Sequence, residues 1–442
     1  MLLLPQLLRL LIPAFAAALR LNVTRHASSC ELSHPHGVWE WAADVQIGTP
    51  PKTFQLQLDS GFHAMTLSTS EAHAMRQCPE VPMQTYRANE SSSSRMYTCA
   101  DAKDDGVTTC ANCAVAAPAD TCVTVGGALF DNVNYSWVSD TVRIAGVELP
   151  NFSIALFDDN DYRGSWGFKV DHDVDPYAPP WSSMLRDMHE RSAISELSYS
   201  MCFNATTGHG VVDFGGMVPH GHIGEHGIVT EEPVRMVKGL VTAADMGHTP
   251  IYRTNGSDIR MDVDTGSIAT RLPAAWAEFM LSELEASCNA SERAQPKSNT
   301  SKSLVGVCVD AAGSPLPPGS YRSILRGHCY SLTPEQRQAY PDIVFTVPAA
   351  DASALPLLIR YTPQDYLSSF SSPCARKQVS AGSPFLKHCE GPADAIVTWA
   401  YMHLIGATGD DLILGEDLYH SLLHYHNFES NTLGLARIRS CS

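Results

Sequence analysis

Alternating apolar and polar positions recur along the chain, and they predict strands in most of it. In residues 54–58, FQLQL, apolar side chains alternate with glutamines, which is typical of a strand with one buried face. Residues 39–58 are predicted to form two strands joined by a turn at residues 48–51. Further strands are predicted at residues 136–147, 152–157, 198–203, 210–214 and 342–347.

Apolar residues at the spacing of one helical face occur in shorter segments. Residues 181–191 and 273–286 each place apolar side chains on one helical face, so a helix is predicted in each. The apolar residues concerned are Met184, Leu185 and Met188 in the first and Trp276, Phe279, Met280 and Leu284 in the second. Residues 412–422 are expected to run from a strand into a turn of helix.

Two stretches end an apolar strand on an aspartate and then turn. Residues 261–273 read MDVDTGSIATRLP, in which Asp264 is followed by a Thr-Gly turn; residues 54–69 read FQLQLDSGFHAMTLST, in which Asp59 is followed by Ser-Gly. A carboxylate at the end of a buried strand is costly unless it is paired or hydrogen-bonded, so both aspartates are candidate functional residues. They lie 205 residues apart, which indicates an internal duplication.

Several further motifs, in order along residues 39–436, resemble the pepsin family of aspartic endopeptidases. The matching segments are residues 42–51 (AADVQIGTPP), 165–167 (SWG), 212–216 (VDFGG), 412–415 (LILG) and 426–436 (HNFESNTLGLA). This resemblance implies an all-β, bilobal, pepsin-like acid protease fold with an active-site cleft between the lobes.

The resemblance also implies roles for the two turns. Asp59 and Asp264 would be the catalytic dyad. The hydroxyls of Ser60 and Thr265 would brace the two loops against each other, and Gly61 and Gly266 would allow the turns. Ser267 would donate a hydrogen bond to the outer oxygen of Asp264. These supporting residues are Ser60, Gly61, Thr265, Gly266 and Ser267.

The chemistry of such a dyad depends on one shared proton. Two carboxylates about 4 Å apart repel by roughly 4 kcal/mol when both are ionised, so the pair holds one proton over a broad acidic range, as aspartic proteases do. The ionised carboxylate can take a proton from water while the protonated one donates to the substrate.

Two positions depart from the family pattern. Phe62 stands where the family has Ser or Thr, so Asp59 lacks one hydroxyl donor. The family's flap motif, a Tyr before a Gly-rich turn, is expected before residues 136–141, where residues 123–130 read VTVGGALF. Tyr135 lies too close to the following strand to align with it.

Length and charge narrow the class of protein. The 442 residues are enough for two lobes with separate cores. We predict an N-terminal lobe at residues 38–218, a connector at 219–240 and a C-terminal lobe at 241–442. The net charge of −17 argues against a nucleic-acid partner and suits an acidic compartment.

Three features favour the secretory pathway. Residues 1–18 are rich in leucine and end in AFAAA, typical of a signal peptide; a membrane anchor is the alternative, but the run is short for one. Thirteen cysteines favour an oxidising compartment. Eight glycosylation sequons support this interpretation, at Asn22, Asn89, Asn134, Asn151, Asn204, Asn255, Asn289 and Asn299.

The signal peptide also leads to an expectation about the mature chain. With residues 19–37 polar and short, no large pro-segment removal is expected, and the mature chain is predicted to start near Leu19. The product is expected to be a monomer without a stable membrane anchor.

A cysteine-rich insertion at residues 78–122 has two interpretations. Its cysteines are Cys78, Cys99, Cys110, Cys113 and Cys122. The CANC spacing at residues 110–113 could hold zinc or form a redox site. In a secreted chain, structural disulfides are favoured.

Two other patterns look like metal sites but have plainer interpretations. Residues 171–175 alternate acids like a calcium loop, but Pro176 and Ser182 stand where that loop needs Gly and Glu. Three histidines with metal-like spacing, His220, His222 and His226, lie in the Gly-rich connector without an evident carboxylate or thiol partner. No metal and no cofactor are therefore expected.

The sequence thus predicts a secreted or secretory-pathway aspartic endopeptidase that acts on polypeptide substrates. The alternative is a catalytically impaired pepsin-like protein that binds polypeptide or carbohydrate. The intact pair Asp59 and Asp264 favours the enzyme, whereas Phe62 and the missing flap tyrosine favour the binding protein.

Overall fold

The structure of the chain, a computed structural model, consists mainly of strands arranged in sheets. It describes residues 19–27, 39–69, 85–98, 123–125, 134–157, 164–170, 183–204, 207–216, 229–230, 234–237, 239–254, 259–267, 270–288, 304–324, 328–371, 388–389, 396–400, 411–419 and 422–441. The predominance of strands over helices in these residues confirms the all-β class.

The strands of the first half are β1 (Leu19–Ala27), β2 (Trp39–Ile47), β3 (Lys52–Asp59), β4 (Met65–Ser68), β5 (Arg95–Met96), β6 (Val123–Val125), β7 (Asn134–Ile144), β8 (Val147–Phe157), β9 (Ser165–Gly167), β10 (Ser198–Asn204) and β11 (His209–Phe214). Those of the second half are β12 (Val229–Thr230), β13 (Arg235–Val237), β14 (Leu240–Val241), β15 (Ala243–Met246), β16 (Thr249–Arg253), β17 (Ile259–Val263), β18 (His328–Cys329), β19 (Ile343–Val347), β20 (Leu357–Tyr361), β21 (Leu367–Ser371), β22 (His388–Cys389), β23 (Ile396–Ala400), β24 (Leu412–Leu414), β25 (Leu422–Asn427) and β26 (Thr432–Ser440). The helices are α1 (Met184–Glu190), α2 (Ala274–Ser287), α3 (Pro334–Gln338), α4 (Pro363–Tyr366) and α5 (Glu416–Tyr419), with a 3-10 turn at Ala88–Glu90.

A closed barrel forms the centre of the first half. Neighbouring strands pair in the order β2, β3, β9, β4, β8 and β7, and β7 returns to pair with β2. The inward-facing side chains are almost fully buried, including Val45, Leu56, Leu67 and Ile154. The apolar residues of β3 thus face the barrel interior as its alternation predicts, but Gln57 is also buried, so this strand is covered on both faces near Asp59.

The barrel continues into a sheet that holds both ends of the described chain. β1 pairs with β2 and β11, β10 pairs with β11 and β25, and β26 pairs with β25, β12 and β13. A disulfide joins Cys202 on β10 to Cys441, directly after β26. The first and second halves of the chain therefore share one continuous sheet.

Strand β1 is absent from the sequence analysis, which treats residues 19–37 as polar. In the structure Val23 is buried, and Arg20 forms two hydrogen bonds with the carboxylate of Asp213, at 2.7 and 2.8 Å. The alternation of Leu19, Leu21 and Val23 is the signal that could have revealed this strand.

Most other predicted elements are confirmed, with one difference in a turn. The sequence pattern predicts one strand from residue 136 to 147, but β7 ends at Ile144 and β8 starts at Val147. Ala145 and Gly146 both have positive φ angles, 47° and 81°, as a two-residue hairpin turn requires. The pair Ala-Gly is a weaker turn signal than Asn-Gly, which explains the difference.

Four smaller sheets and helices α2 to α5 complete the second half of the described chain, whereas α1 belongs to the first half. The sheets are β14-β17-β24, β16-β15-β19-β20, β18-β22 and β21-β23. Helix α2 buries Trp276, Met280 and Leu284, whereas Phe279 is half-buried. Helix α1 buries its predicted face of three apolar residues. The predicted connector contains β12 and β13, which pair with β26 and so belong to the shared sheet.

Several predicted features lie outside the described residues. They are the signal peptide, the five cysteines of the insertion, the acidic loop at 171–175, the three connector histidines and residues 126–133 of the flap region. Among the described sequons, Asn22, Asn89 and Asn151 are exposed. In the part of the chain that the structure describes, no helix has the length and apolar character to cross a membrane.

Candidate active site

Asp59 lies at the end of the buried strand β3. Leu56 and Leu58 are fully buried, and β9 runs parallel to β3 with Asp59 opposite Gly167. The backbone N–H of Phe168 donates to the carbonyl of Asp59 at 3.0 Å. Strand β3 and its parallel partner therefore fix the backbone from which the first carboxylate projects.

Asp264 is held in the same way by the second half of the chain. It follows β17 directly, and β24 runs parallel to β17 with Val263 opposite Leu414. The N–H of Asp264 donates to the carbonyl of Leu414 at 2.9 Å. Each aspartate is thus delivered by a strand whose parallel partner is one of the apolar segments ending in glycine, SWG or LILG.

Reciprocal hydrogen bonds join the two turns. The N–H of Ser60 donates to the hydroxyl of Thr265, and the N–H of Thr265 donates to the hydroxyl of Ser60, both at 2.9 Å. Each hydroxyl then donates across to the opposite strand, Ser60 to the carbonyl of Val263 and Thr265 to the carbonyl of Leu58, both at 2.7 Å. All these groups are buried, so the four bonds lock the loops together.

The glycines allow the two carboxyl groups to meet. A Cβ atom on Gly61 would stand 2.3 Å from Oδ1 of Asp264, and one on Gly266 would stand 2.5 Å from Cγ of Asp59. Each glycine therefore packs its bare face against the aspartate of the other loop. The two aspartates therefore lie close enough for the charge of Asp264 to raise the pKa of Asp59.

Backbone N–H groups hold the carboxylates in place. Among the described residues, Asp59 accepts one such bond, from Gly61 at 2.9 Å. Asp264 accepts two, from Gly266 at 3.0 Å and from Ser267 at 3.1 Å. The resemblance implies that Ser267 supports Asp264 through its hydroxyl. The bond in the structure comes from the backbone N–H of Ser267, and the hydroxyl bond stays a prediction.

The environment favours retention of a proton on the pair. Burial, and next the charge of Asp264, raise the pKa of Asp59 well above its ordinary value. Burial also raises the pKa of Asp264, although the positive charge of Arg271 opposes this. Both side chains are 8% exposed. Two buried carboxyls that share a proton can act together as a general base and a general acid.

Phe62 offers no donor to Asp59. Its ring packs against the ring of His63, with centroids 4.8 Å apart, and its carbonyl accepts from the N–H of Lys169 at 2.9 Å. The side chain at this position therefore contributes packing where a serine or threonine would contribute a hydroxyl.

An ion pair next to the dyad is missing from the sequence analysis. The ammonium of Lys169 lies 2.7 Å from a carboxylate oxygen of Asp262, and the two side chains are 17% and 20% exposed. The signal for Asp262 is its place in MDVD: it precedes Asp264 by two residues, so a strand places both on one face. Nothing in the sequence pattern indicates Lys169 as its partner.

Asp417 is a further acidic residue that the sequence analysis does not identify. It accepts from the N–H and the hydroxyl of Thr270, both at 2.7 Å, and from the hydroxyl of Tyr361. Burial raises the pKa of Asp417 from 3.8 to about 7. Because Thr270 lies six residues after Asp264, this carboxyl holds the chain that leaves the second turn.

No protein-family model matches this chain, and no curated protein matches it significantly. In addition, no group of His, Cys, Asp and Glu side chains among the described residues is arranged to hold a metal ion. The functional interpretation therefore rests on the geometry of the two aspartate turns.

Proposed function

We propose that the protein is a pepsin-like aspartic endopeptidase, with lobes at residues 38–218 and 241–442 and a substrate cleft between them. One observation carries this proposal. Two aspartate turns, 205 residues apart, exchange reciprocal hydrogen bonds and place two buried carboxyls together. Carboxyls that merely cap separate loops would not need this mutual bracing.

In the proposed reaction, water attacks the carbonyl carbon of a peptide bond. The ionised carboxylate of the dyad takes a proton from the water while the protonated carboxyl gives its proton to the carbonyl oxygen, so a tetrahedral gem-diol forms. The C–N bond of this intermediate then breaks: one hydroxyl of the gem-diol gives its proton to the ionised carboxylate, and the leaving nitrogen receives the proton of the other carboxyl. The reaction needs only the two carboxyls and water.

The proposal is tested by incubating the purified protein with an unbiased peptide library from acidic to neutral pH. Asp59→Asn and Asp264→Asn keep the size of the side chain but cannot share the proton, so each is expected to abolish cleavage. Asp351→Asn is the matched control, because Asp351 is an exposed turn residue and its loss should leave cleavage unchanged.

The alternative is a pepsin-like binding protein for polypeptide or carbohydrate, and Phe62 is the observation that favours it. A hydrogen bond to a charged group is worth roughly 1.5–3 kcal/mol, so its absence at Asp59 weakens the dyad. Cleavage that is absent at every pH, or equal in wild type and both Asn variants, would favour this binding function over the protease.

We also propose that the protein works in the secretory pathway or outside the cell, on polypeptide substrates. The Cys202–Cys441 and Cys288–Cys308 disulfides and the exposed sequon residues support this. Treatment of the expressed protein with a glycosidase should increase its gel mobility; unchanged mobility together with free thiols throughout would contradict it.

A further inference from the structure

The Lys169–Asp262 ion pair connects the two chain segments that carry Asp59 and Asp264. Lys169 follows the SWG segment that pairs with Asp59, and its N–H donates to the carbonyl of Phe62 in the first loop. Asp262 lies on β17, two residues before Asp264. The 2.7 Å contact between their side chains therefore ties the first loop to the strand that delivers the second aspartate.

We propose that Lys169 and Asp262 are positioning residues for the dyad: their ion pair holds the two loops in register and sets the pH range in which the dyad carries a single negative charge. The inference rests on the proposed protease function and deepens it. Neither residue needs to touch the substrate, because both act through the carboxyls of Asp59 and Asp264.

The charges of the two partners act on the dyad in opposite directions. The positive charge of Lys169 lowers the pKa of Asp59 and that of Asp264, while the negative charge of Asp262 raises the pKa of Asp264. Burial has the largest effect on the pKa of both aspartates. The net effect of the ion pair on the pKa values of the dyad is therefore the small difference between two opposing charges.

Other titratable groups face the same site. Arg260 lies 4.0 Å from the same oxygen of Asp262 but is 67% exposed, so water screens its charge. Arg271 acts on Asp264. The buried Tyr199 lies near Asp262 and both dyad carboxyls, and His426 lies near Lys169 and Asp262. Burial raises the pKa of Tyr199 and lowers the pKa of His426 to about 4, so neither side chain is charged near neutral pH, whereas Lys169 and Arg271 supply positive charge.

The decisive variants remove one charge each. Lys169→Met should move both limbs of the profile of kcat/KM against pH to higher pH, by about one unit. Asp262→Asn should move both limbs to lower pH. The double variant should return the limbs towards wild type with a lower kcat, because the tie between the loops is still missing. Lys169→Arg keeps the charge and should restore the wild-type profile.

A structural role alone would lower the rate without moving the limbs in opposite directions. The control is Lys52→Met, which breaks an exposed ion pair with Glu90 elsewhere in the first half and should leave the limbs in place. Shifts of Lys169→Met and Asp262→Asn in the same direction, or no shift in either, would overturn the inference.

A titration without substrate separates this inference from the proposed function. Carbon-13 NMR of Asp carboxyls, assigned with Asp59→Asn and Asp264→Asn, reports the proton affinity of the dyad directly. Near-UV circular dichroism checks that each variant is folded; if Lys169→Met does not fold, Asp262→Asn and the double variant still give the predicted difference. If Lys169→Met and Asp262→Asn change the proton affinity of the dyad in opposite directions in a protein that cleaves nothing, the role of the ion pair is supported and the protease function is rejected. If the protein is active and neither variant changes this proton affinity, the protease function is supported and the role of the ion pair is rejected.

Discussion

The close approach of the two aspartate loops requires glycine at positions 61 and 266. The space where a side chain would stand is filled by the carboxyl of the opposite loop, at 2.3 Å for Gly61 and 2.5 Å for Gly266. The glycine is needed because two aspartate turns approach each other, and a single isolated turn would not demand it. This requirement leads to a prediction at the scale of one residue.

Gly61→Ala is expected to reduce kcat/KM by at least about 100-fold, because a displacement of roughly 1 Å in catalytic geometry has this effect. The alanine keeps the N–H that donates to Asp59, but its methyl group would push Asp264 away. Overpacking of this kind destabilises by about 1–3 kcal/mol, so urea denaturation should show a folded protein. Peptide cleavage and denaturation measured on the same sample check the prediction.

Gly146→Ala is the matched control. A Cβ atom there meets nothing within 4 Å, but the φ angle of 81° is unfavourable for alanine. This variant should lose about 1–2 kcal/mol of stability and keep full activity. Equal activity of Gly61→Ala and wild type would show that the two loops do not need their close approach.

At this scale the sequence predicted residues that belong to a motif and missed residues that depend on tertiary contact. Asp59, Asp264, Ser60 and Thr265 are recognisable because each triplet has a fixed local pattern. Lys169 is not recognisable, because its importance comes from Asp262, which is 93 residues away in the chain. Long-range contacts between single side chains leave no periodic signal.

At the scale of elements, the sequence predicted strands better than their partners. β3 and β10 were predictable from period-two alternation and from runs of apolar residues. The parallel pairs β3–β9 and β17–β24 were not predicted, because the partner strands have only three residues each. Their similarity to each other supports the expectation of an internal duplication, which stays a prediction.

Strand β25 contains a buried histidine, His424, that should make the stability of the protein depend on pH. The ring of His424 is buried against Tyr199, with centroids 5.4 Å apart, and neither of its nitrogens has a hydrogen-bond partner among the described residues. Burial, and next the charge of His426, lower the pKa of His424 to about 3. The unfolded chain takes up this proton below pH 6.5 and the folded chain does not, so stability is lost as the pH falls from 6.5 to about 3.

His424→Phe should therefore stabilise the protein at acidic pH. Phe fits beside Tyr199 and cannot take up a proton, so its advantage over wild type should grow by about 1.4 kcal/mol for each pH unit below 6.5. Urea denaturation at pH 7.5, 5.5 and 4.5 measures this slope. His248→Gln, which removes an exposed imidazole, is the control for the loss of a histidine elsewhere in the chain. A pH-independent effect of His424→Phe would mean that the imidazole takes up its proton as readily in the folded chain as in the unfolded chain.

At the scale of the whole molecule, one continuous sheet carries both halves of the chain. β1 and β26, at opposite ends of the described residues, lie in this sheet, and its strands β10 and β25 pair directly. The sequence pattern predicts two lobes and a connector, but it does not predict strand β1 or the strands within the connector. Strand pairing between distant segments is set by the complete fold, so local patterns could not show it.

The Cys202–Cys441 disulfide closes this sheet and leads to a prediction for overall stability. It spans 239 residues, whereas Cys288–Cys308 spans 20, so the loss of loop-closure entropy predicts about 5 kcal/mol for the first and about 3 kcal/mol for the second. Replacing Cys202 and Cys441 by alanine should therefore lower the Tm more than replacing Cys288 and Cys308. The first double variant should also let a carboxypeptidase digest β26, since Cys441 anchors the end of that strand to β10. An equal or smaller fall in Tm, with β26 resistant to digestion, would show that strand pairing with β25 holds the end of the chain without the disulfide.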